Sequence, residues 1–528
     1  MRNFQVPGRS VAYGAQGMAA TSSPLATVSA LDVLKNGGNA VDAAITASAV
    51  LCITEPHMTG IGGDCFALIG KSDGTIEGIN GSGRASGQAD ADWLKASGLA
   101  AIDPKSVHAV TVPGAIDAWA ALLARHGTMD LKEALQPAIR LAEGGVPTTP
   151  RVAFDWAQDV GDLVSDEGAR QHYLIDGRAP AEGEVMRYPA LARTLKLIAA
   201  RGRDAFYAGE IADEIVAHLK ARGGLLTLED FARTKASWVT PIGIDYAGAE
   251  LLEIPPNGQG LTALIALNIL KRFDMAKHEA GSVERYHLQI EALKLAWVLR
   301  NRHIADPDFM TVVPADLLTD KMGEDLAAQV DLKRASSDPA ALVKMPGSDT
   351  VYLTVADRNG MAVSFINSIY WSFGASIVTP KSGIALQNRG ANFVTTPGHP
   401  NCIGPNKRPL HTIIPAMVRR NGKIDMSYGV MGGSYQPMGH VGVLLNRYVY
   451  GQDVQTALDF PRLFPQQGLV EVEAGIGEAV RRGLTGLGHQ VVEAVEALGG
   501  GQAILFDRTH NVLAGGSDFR KDGLALGF

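Results

Sequence analysis

Residues 347–392 read GSDTVYLTVADRNGMAVSFINSIYWSFGASIVTPKSGIALQNRGAN, a stretch that places a β-hairpin signal directly after a polar loop. Two apolar, β-rich runs, VYLTVA and MAVSFI, flank a turn that contains Asn359 and Gly360. An Asn-Gly pair between two such runs is the strongest short-range signal for a hairpin. The pattern therefore predicts that Thr350 opens the first of two paired strands.

Thr350 has the chemistry of a nucleophile if the backbone is cut directly before it. Cleavage of the Asp349–Thr350 bond would leave Thr350 with a free α-amine beside its own hydroxyl. Such an amine has an unperturbed pKa of about 8, so it can act as a base near neutral pH. Hydroxyl and base on one residue form the N-terminal variant of an activated nucleophile. On the residues alone, an ordinary strand threonine remains the alternative, because β-branched side chains fit the pleat.

The composition of the 528 residues is that of a globular protein with a large core, since 46% are apolar. A net charge of −7 without runs of Lys or Arg argues against nucleic acid or an anionic membrane surface as a partner. Residues 1–20 lack the apolar core of a secretory signal, and the longest apolar stretch, residues 43–53, is too short to span a bilayer. These features predict a soluble, cytoplasmic enzyme.

Local patterns predict elements along the rest of the chain. Helices are predicted at residues 25–36, 41–53, 115–126, 261–270, 283–302 and 440–446, with a mainly helical region at 131–221. Strands are predicted at residues 65–70, 75–80, 107–112, 242–246, 250–254, 412–419, 426–430, 502–506 and 512–514. Residues 307–349 are polar and predict a mobile connection that leads to the bond before Thr350.

Neither a cofactor nor a metal is predicted. The glycine-rich residues 59–64 precede a predicted strand instead of following one, which excludes a dinucleotide-binding loop. Three widely spaced cysteines form neither a disulfide framework nor a zinc site. His287 and Glu291 lie four residues apart on a predicted amphipathic helix and could ligate a metal. Without a third ligand nearby, a solvated or structural hydrogen-bonded pair is the simpler interpretation.

Several motifs along the chain resemble those of one family. They are the Asp349-Thr350 pair with the hairpin after it, GPNKRP at 404–409, GVMGGS at 429–434, GGNAVDAA at 37–44 and EPHMTGIGGD at 55–64. Together they are similar to the γ-glutamyltransferase family of N-terminal-nucleophile hydrolases. The resemblance implies an α+β fold, a four-layer αββα sandwich with two stacked sheets covered by helices. It also implies self-cleavage into a large subunit, 1–349, and a small subunit, 350–528, which form one interlocked domain. The two fragments would form a heterodimer, and whether that heterodimer dimerises further stays open.

The resemblance also assigns roles at the reaction centre. It makes Thr350 the nucleophile for both its own precursor bond and the substrate amide. Ser368 stands where the family has a hydroxyl that hydrogen-bonds the nucleophile; an ordinary strand serine is the alternative. Gly432 and Gly433 match the glycines whose N–H groups form the oxyanion hole, where such donors contribute about 3–4 kcal/mol. An ordinary strand-to-helix turn is the alternative there.

The substrate-binding positions depart from the γ-glutamyl pattern. The early arginine of that pattern is replaced by Ser82, with Arg84 two residues on. The remaining substrate positions are read as Tyr370, Arg389, Asn392, His411 and Thr412. Loss of an acidic residue removes the partner for a substrate ammonium. Arg389 supplies a planar, two-pronged partner for a carboxylate, unless it is a surface residue or a structural ion pair.

These departures are similar to the oxamate amidohydrolase branch of the family, which leads to three hypotheses. The first is hydrolysis of a small carboxylate-bearing amide, with the carboxylate on Arg389 and with water or an amine as the acyl acceptor. The second is γ-glutamyl hydrolysis or transfer on glutathione-like substrates. The third is an uncleaved, non-catalytic scaffold of the same fold.

Overall fold

Two seven-stranded antiparallel sheets form the centre of the computed structural model, which describes residues 4–5, 7–336 and 350–528. The strands, numbered in chain order, are β1 Ala12–Gly14, β2 Gly17–Thr21, β3 Asp64–Gly70, β4 Ile76–Gly81, β5 Val146–Pro147, β6 Val185–Met186, β7 Ser237–Val239, β8 Ile242–Tyr246, β9 Ala249–Glu253, β10 Val351–Asp357, β11 Ala362–Ser368, β12 Ala416–Arg420, β13 Lys423–Met431, β14 Leu463–Gln466, β15 Leu469–Val472, β16 Val491–Glu493, β17 Gly500–Asp507, β18 Val512–Ser517 and β19 Leu524–Gly527.

The helices surround these sheets. In chain order they are α1 Pro24–Lys35, α2 Ala40–Thr54, α3 Ala91–Ala96, α4 Ala115–His126, α5 Leu131–Ala134, α6 Gln136–Gly144, α7 Pro150–Gln158, α8 Val160–Leu163, α9 Glu167–Tyr173, α10 Pro189–Arg201, α11 Asp204–Tyr207, α12 Glu210–Lys220, α13 Leu228–Arg233, α14 Gly260–Leu270, α15 Val283–His303, α16 Asp320–Ala327, α17 Gln436–Tyr448, α18 Val454–Asp459 and α19 Glu478–Gly486. None of the helices in the described ranges combines the length and the apolar character needed to cross a membrane.

The strand order shows how the chain is interleaved. The first sheet has the order β1-β18-β17-β13-β12-β9-β8, and the second has the order β19-β2-β10-β11-β3-β4-β7. Each sheet therefore contains strands from before and after residue 350. Helices α2 and α4 pack on the second sheet, whereas α14, α17 and α18 pack on the first. The result is four layers, helix-sheet-sheet-helix, which confirms the predicted α+β sandwich.

The predicted hairpin forms the middle of the second sheet. Strands β10 and β11 pair from Val351 opposite Asn367 to Ala356 opposite Ala362. At the turn, Asp357 Oδ1 accepts hydrogen bonds from the N–H of Asn359 at 2.9 Å and from the N–H of Met361 at 3.1 Å. Both strands are buried along their whole length. A strand buried on both faces reads as a nearly continuous apolar run, which explains why this pattern was visible in the sequence.

The two sheets meet closely where β10 crosses β13. Thr354 Oγ1 lies 2.6 Å from Ser427 Oγ of the other sheet. One step along, the ring of Tyr352 covers Gly429, and a Cβ at Gly429 would lie only 2.4 Å from Cε2 of that ring. Glycine at 429 is therefore required by the sheet-to-sheet distance.

Gly429→Ala is expected to destabilise the protein by about 1–3 kcal/mol, because the added methyl must displace the Tyr352 ring from a close-packed interior. The midpoint of urea denaturation measures the loss. Gly161→Ala is the matched control: Gly161 is exposed in α8 and no described atom lies within 4 Å of the added Cβ. An equal shift in both variants would contradict the packing argument.

Several sequence predictions are corrected by the fold. Residues 107–112 do not form a strand, because Val107–Ala109 is a 3-10 helix. The N–H of Val112 donates to the carbonyl of Arg84 at 3.1 Å, but this contact is not part of a β-ladder. Helix α15 is not amphipathic, because other elements bury most of its faces. The connection expected to be mobile contains two 3-10 helices, Pro307–Phe309 and Pro314–Leu318, and α16, and it is described as far as residue 336. Its remainder, including Asp349, lies outside the described residues.

Candidate active site

Thr350 and Ser368 face each other at one end of the hairpin. The antiparallel register pairs Val351 with Asn367, so the next residues out are Thr350 and Ser368. Both are buried, and Thr350 Oγ1 lies 3.2 Å from Ser368 Oγ. The local signal for the hairpin thus also brings together the two hydroxyls that the sequence placed in the reaction centre.

Two further groups donate hydrogen bonds to the Ser368 hydroxyl. The Ser368 hydroxyl accepts from the N–H of Tyr370 at 2.9 Å and from Nη2 of Arg389 at 3.1 Å. A serine hydroxyl has two acceptor sites and one hydrogen. Thr350 Oγ1 lies within hydrogen-bonding distance of the same hydroxyl, and either hydroxyl can be the donor in this contact. Ser368 can therefore stabilise negative charge that develops on Thr350.

Arg389 is a fully buried cation behind Ser368. Its Nη1 donates to Thr412 Oγ1 at 2.7 Å, and its guanidinium carbon lies 4.2 Å from the centre of the Tyr370 ring. Burial lowers the pKa of Arg389 to about 10, which still leaves it charged at neutral pH. No carboxylate of residues 4–5, 7–336 or 350–528 forms an ion pair with it. Arg389 is therefore neither a surface residue nor an ion-paired one.

Tyr370 packs against the Arg389 guanidinium and has an unusual backbone conformation. Its φ is +83°, a region that aromatic residues rarely adopt. Its hydroxyl donates to Asn392 Oδ1 at 2.6 Å, and burial raises the pKa of Tyr370. Strained residues persist where the surrounding structure holds them, often at functional sites. The structure thus brings Tyr370, Arg389, Asn392 and Thr412 into one cluster next to Ser368.

His411 belongs to an adjoining buried network. Its Nε2 lies 2.9 Å from Oδ2 of Asp64. Burial, assisted by the charge of Arg389, lowers the pKa of His411 to about 3 despite this contact, so the imidazole is neutral and donates Nε2–H. Asp64 Oδ1 accepts from Gln387 Nε2 at 2.8 Å and from two backbone N–H groups. The sequence did not indicate Asp64, although it ends the glycine-rich run at 59–64.

Arg84 does not join this cluster. Its Nη1 donates to Asp306 Oδ2 at 3.0 Å and to the carbonyl of Asn406 at 2.8 Å. Ser82 Oγ accepts instead from Asn257 Nδ2 at 3.1 Å. The contacts of Arg84 are those of a structural ion pair, and Arg84 is not among the residues that line the cavity at Thr350.

Gly432 and Gly433 form the turn between β13 and the helical segment that leads into α17. Their φ angles are +118° and +55°, which favour glycine. Two buried side chains hold this turn: Gln259 Nε2 donates to Gly433 O at 2.8 Å, and Arg300 Nη1 donates to Gln259 Oε1 at 2.8 Å. Gln259 and Arg300 were not identified from the sequence, because they lie far from the turn along the chain.

A cavity of about 300 Å³ opens at Thr350 and Gly432. Its other lining residues are Met58, Arg151, Met431, Ser434, Tyr435, Phe464, Gln466, Glu471, Val495, Glu496, Ala497, Leu498, Gly499 and Lys521. Arg151 comes from α7 and Lys521 from the segment before β19, and neither carried a signal in the sequence. The same cavity is therefore lined by Thr350, by Gly432 and by the cations of Arg151 and Lys521.

His287 and Glu291 do have a third potential ligand nearby, contrary to the sequence interpretation. His489 Nε2 lies 2.8 Å from His287 Nδ1, and the three ligand atoms lie within 4.8 Å of one another. The ammonium of Lys294 already lies 2.8 Å from Glu291 Oε1. The N–H of Ser336 donates to Glu291 Oε2 at 3.0 Å. Through the hydrogen bond from Ser336, this cluster holds the connection near residue 336 against helix α15.

Comparison with known proteins shows similarity over almost the whole chain. The profile of the Gamma-glutamyltranspeptidase family matches residues 26–528. The Glutathione hydrolase-like YwrD proenzyme of Bacillus subtilis (strain 168) is 35% identical over 525 residues, covering 97% of this chain and 99% of that protein. The Oxamate amidohydrolase proenzyme of Klebsiella pneumoniae is 35% identical over 527 residues, with coverages of 97% and 98%. The crystal structure of cephalosporin acylase from Bacillus halodurans has a TM-score of 0.93 at 42% identity, covering 100% of this chain and 99% of that one.

Proposed function

The chain belongs to the gamma-glutamyltranspeptidase family of hydrolases and acylases, and we propose that it is a self-processing amide hydrolase with Thr350 as its nucleophile. The family indicated by the motifs is thereby confirmed, as is the conclusion that the chain is an enzyme. The two relatives from Bacillus subtilis and Klebsiella pneumoniae are proenzymes. This supports cleavage of the present chain into residues 1–349 and 350–528.

One observation carries the proposal: the Thr350 hydroxyl lies 3.2 Å from the Ser368 hydroxyl in a cavity that Gly432 also lines. After self-cleavage, the α-amine of Thr350 takes the proton from Oγ1 as that oxygen attacks the amide carbon. The N–H groups of Gly432 and Gly433 stabilise the negative oxygen of the tetrahedral intermediate. The leaving amine receives the proton, and water or an amine then releases the acyl group from Oγ1.

The proposed substrate is a small amide that carries a carboxylate, such as oxamate or a half-amide of a short dicarboxylic acid. A cavity of about 300 Å³ is at the small end of ligand sites. Arg151 and Lys521 supply positive charge within it. Arg389 is completely enclosed by its neighbours, which supports a role in holding Ser368; direct contact with a substrate would require Tyr370 to move.

Glutathione-like substrates are the second candidate, because Glu471 and Glu496 also line the cavity. Either carboxylate offers a partner for the α-ammonium of a γ-glutamyl group. Such an ammonium is what distinguishes the γ-glutamyl group from a plain glutaryl group. The two candidates can therefore be separated by a pair of substrates that differ in this group alone.

The processed enzyme is expected to hydrolyse glutaryl-p-nitroanilide with a kcat/KM at least about tenfold above that for γ-glutamyl-p-nitroanilide, equivalent to about 1.4 kcal/mol. Absorbance of released p-nitroaniline measures both, and ammonia release measures oxamate turnover in parallel. Thr350→Ala protein provides the blank. Turnover of the γ-glutamyl compound alone would contradict the proposed substrate class and support the second candidate.

A further inference from the structure

Lys521 is a buried ammonium with few close partners on the wall of the Thr350 cavity. Its side chain is 6% exposed. Within the described part of the chain, its Nζ contacts are Asp155 Oδ2 at 3.5 Å and Met58 Sδ at 3.6 Å. An ammonium carries three donors, and its hydrogen bonds to oxygen are normally 2.7–3.2 Å long. A buried charge with such long contacts has capacity for a further anionic partner.

Arg151 places a second cation beside it. The N–H of Arg151 donates to Asp522 Oδ2 at 2.9 Å, which joins the first turn of α7 to the residue after Lys521. Its Nε donates to Asp155 Oδ1 and Oδ2, both at 2.8 Å. Burial alone would raise the pKa of Asp155, but its contacts with three basic side chains outweigh burial and hold that pKa well below its ordinary value. Asp155 is therefore ionised, and Lys521, Arg151 and His57 share its carboxylate.

The two acidic residues that line the cavity, Glu471 and Glu496, do not neutralise the positive charge of Lys521. Glu496 is 51% exposed and lies 3.7 Å from Arg151 Nη2, so solvent screens it. Neither Glu496 nor Glu471 forms an ion pair with Lys521 among the described residues. Lys521 is less exposed than Arg151, 6% against 18%, so solvent screens its charge less.

We infer that Lys521, supported by Arg151, is the specificity-determining residue that binds the carboxylate of the substrate. This inference rests on the proposed amide hydrolysis at Thr350 and deepens it. A sphere of about 300 Å³ is roughly 8 Å across, so a carboxylate at Lys521 leaves room for only a short chain before the scissile carbonyl. The substrate class is accordingly the half-amides of short dicarboxylic acids. Residues from both sides of the proposed cleavage point form this subsite.

The test compares Lys521→Met with the wild-type enzyme on glutaryl-p-nitroanilide and on its uncharged counterpart, valeryl-p-nitroanilide. Loss of one charge-assisted contact should lower kcat/KM for the glutaryl compound about ten- to a hundredfold, mainly through KM. Hydrolysis of the valeryl compound should stay within about threefold. Lys521→Arg should retain most of the preference for the carboxylate, because it restores the charge.

Lys407→Met is the matched control. Lys407 is also a buried lysine, with Nζ 4.2 Å from the centre of the Phe309 ring, and it is not a lining residue of this cavity. This variant should keep the wild-type ratio between the two anilides. Arg151→Gln is the second test variant, in case Lys521→Met does not process, and should show the same selective loss for the glutaryl compound.

The outcomes separate the inference from the proposed function. A processed wild-type enzyme that releases p-nitroaniline from neither anilide and ammonia from no half-amide would overturn the function itself. Wild-type hydrolysis of both anilides at similar rates would leave the function standing and overturn the inference. Equal losses on both substrates in Lys521→Met and Arg151→Gln would assign these residues a structural role and also overturn it.

Discussion

Replacement of Thr350 by alanine is expected to leave a single 528-residue chain and to abolish amide hydrolysis. The variant lacks the hydroxyl that attacks both the precursor bond and the substrate, and the nearby Ser368 lies within the chain and has no free α-amine to activate it. Wild-type protein should instead give fragments of 349 and 528 − 349 = 179 residues on a denaturing gel. N-terminal sequencing of the smaller fragment should read TVYLT. Loss of a nucleophile of this kind lowers kcat by about 10⁴–10⁶.

Thr354→Ala provides the control for that experiment. Thr354 is also a buried threonine of the same segment, and its hydroxyl contacts Ser427 instead of the cavity. This variant should lose some stability but should still be cleaved and active. Thr350→Ser, which keeps a hydroxyl and an amine, should be cleaved more slowly. A Thr350→Ala chain that still cuts itself, or a wild-type chain that stays intact, would contradict the proposal.

The interleaved sheets explain how two fragments can remain one protein. Strand β10, which follows the proposed cut, pairs with β2 from Thr354 opposite Ala20 to Asp357 opposite Gly17. Its partner β11 pairs with β3 from Ala362 opposite Gly70 to Ser368 opposite Asp64. The hairpin that begins the proposed small subunit is thus enclosed on both sides by strands of the large one. Cutting one bond before Thr350 leaves these ladders in place.

The sequence predicted the hairpin that positions Thr350 and Ser368, because the signal for the hairpin is local. The hairpin depends on an Asn-Gly turn between apolar runs, and its register then places Ser368 opposite Thr350. Gly432 and Gly433 were assigned through the family motif, and the positive φ angles of this turn explain why glycine occupies both positions. The hairpin could be predicted because neighbouring residues determine it, whereas the roles of Ser368, Gly432 and Gly433 came from the resemblance to the family.

The charges of the cavity could not be predicted, since they depend on tertiary contacts. Lys521 and Asp155 are 366 positions apart and meet only in the folded chain. Arg389 was interpreted from its chemistry as a carboxylate partner, but its burial depends on how Tyr370 folds over it. How deeply a side chain is buried depends on how the layers pack, and the local sequence around residue 389 does not predict it.

Ser368→Ala is expected to lower kcat by about 10²–10³ and to slow self-cleavage. The hydroxyl of Ser368 is the link between Thr350 Oγ1 at 3.2 Å and the Arg389 cation at 3.1 Å. Without it, charge that develops on Thr350 loses its donor, and Nη2 of Arg389 loses an acceptor in a buried site. Removing one pre-organised donor of this kind costs about 2.7–4 kcal/mol of transition-state stabilisation. Steady-state hydrolysis of glutaryl-p-nitroanilide measures the effect.

Ser364→Ala distinguishes this role from simple loss of a buried hydroxyl. Ser364 lies four residues earlier on β11, is equally buried, and its Oγ is 2.7 Å from the Tyr352 hydroxyl, away from the cavity. Both alanine variants should lose comparable stability, but only Ser368→Ala should lose catalysis. Ser368→Thr keeps the hydroxyl and should recover most of the rate. A kcat of Ser368→Ala within threefold of wild type would contradict a role of Ser368 in stabilising charge on Thr350. Arg389 would then contribute to folding alone.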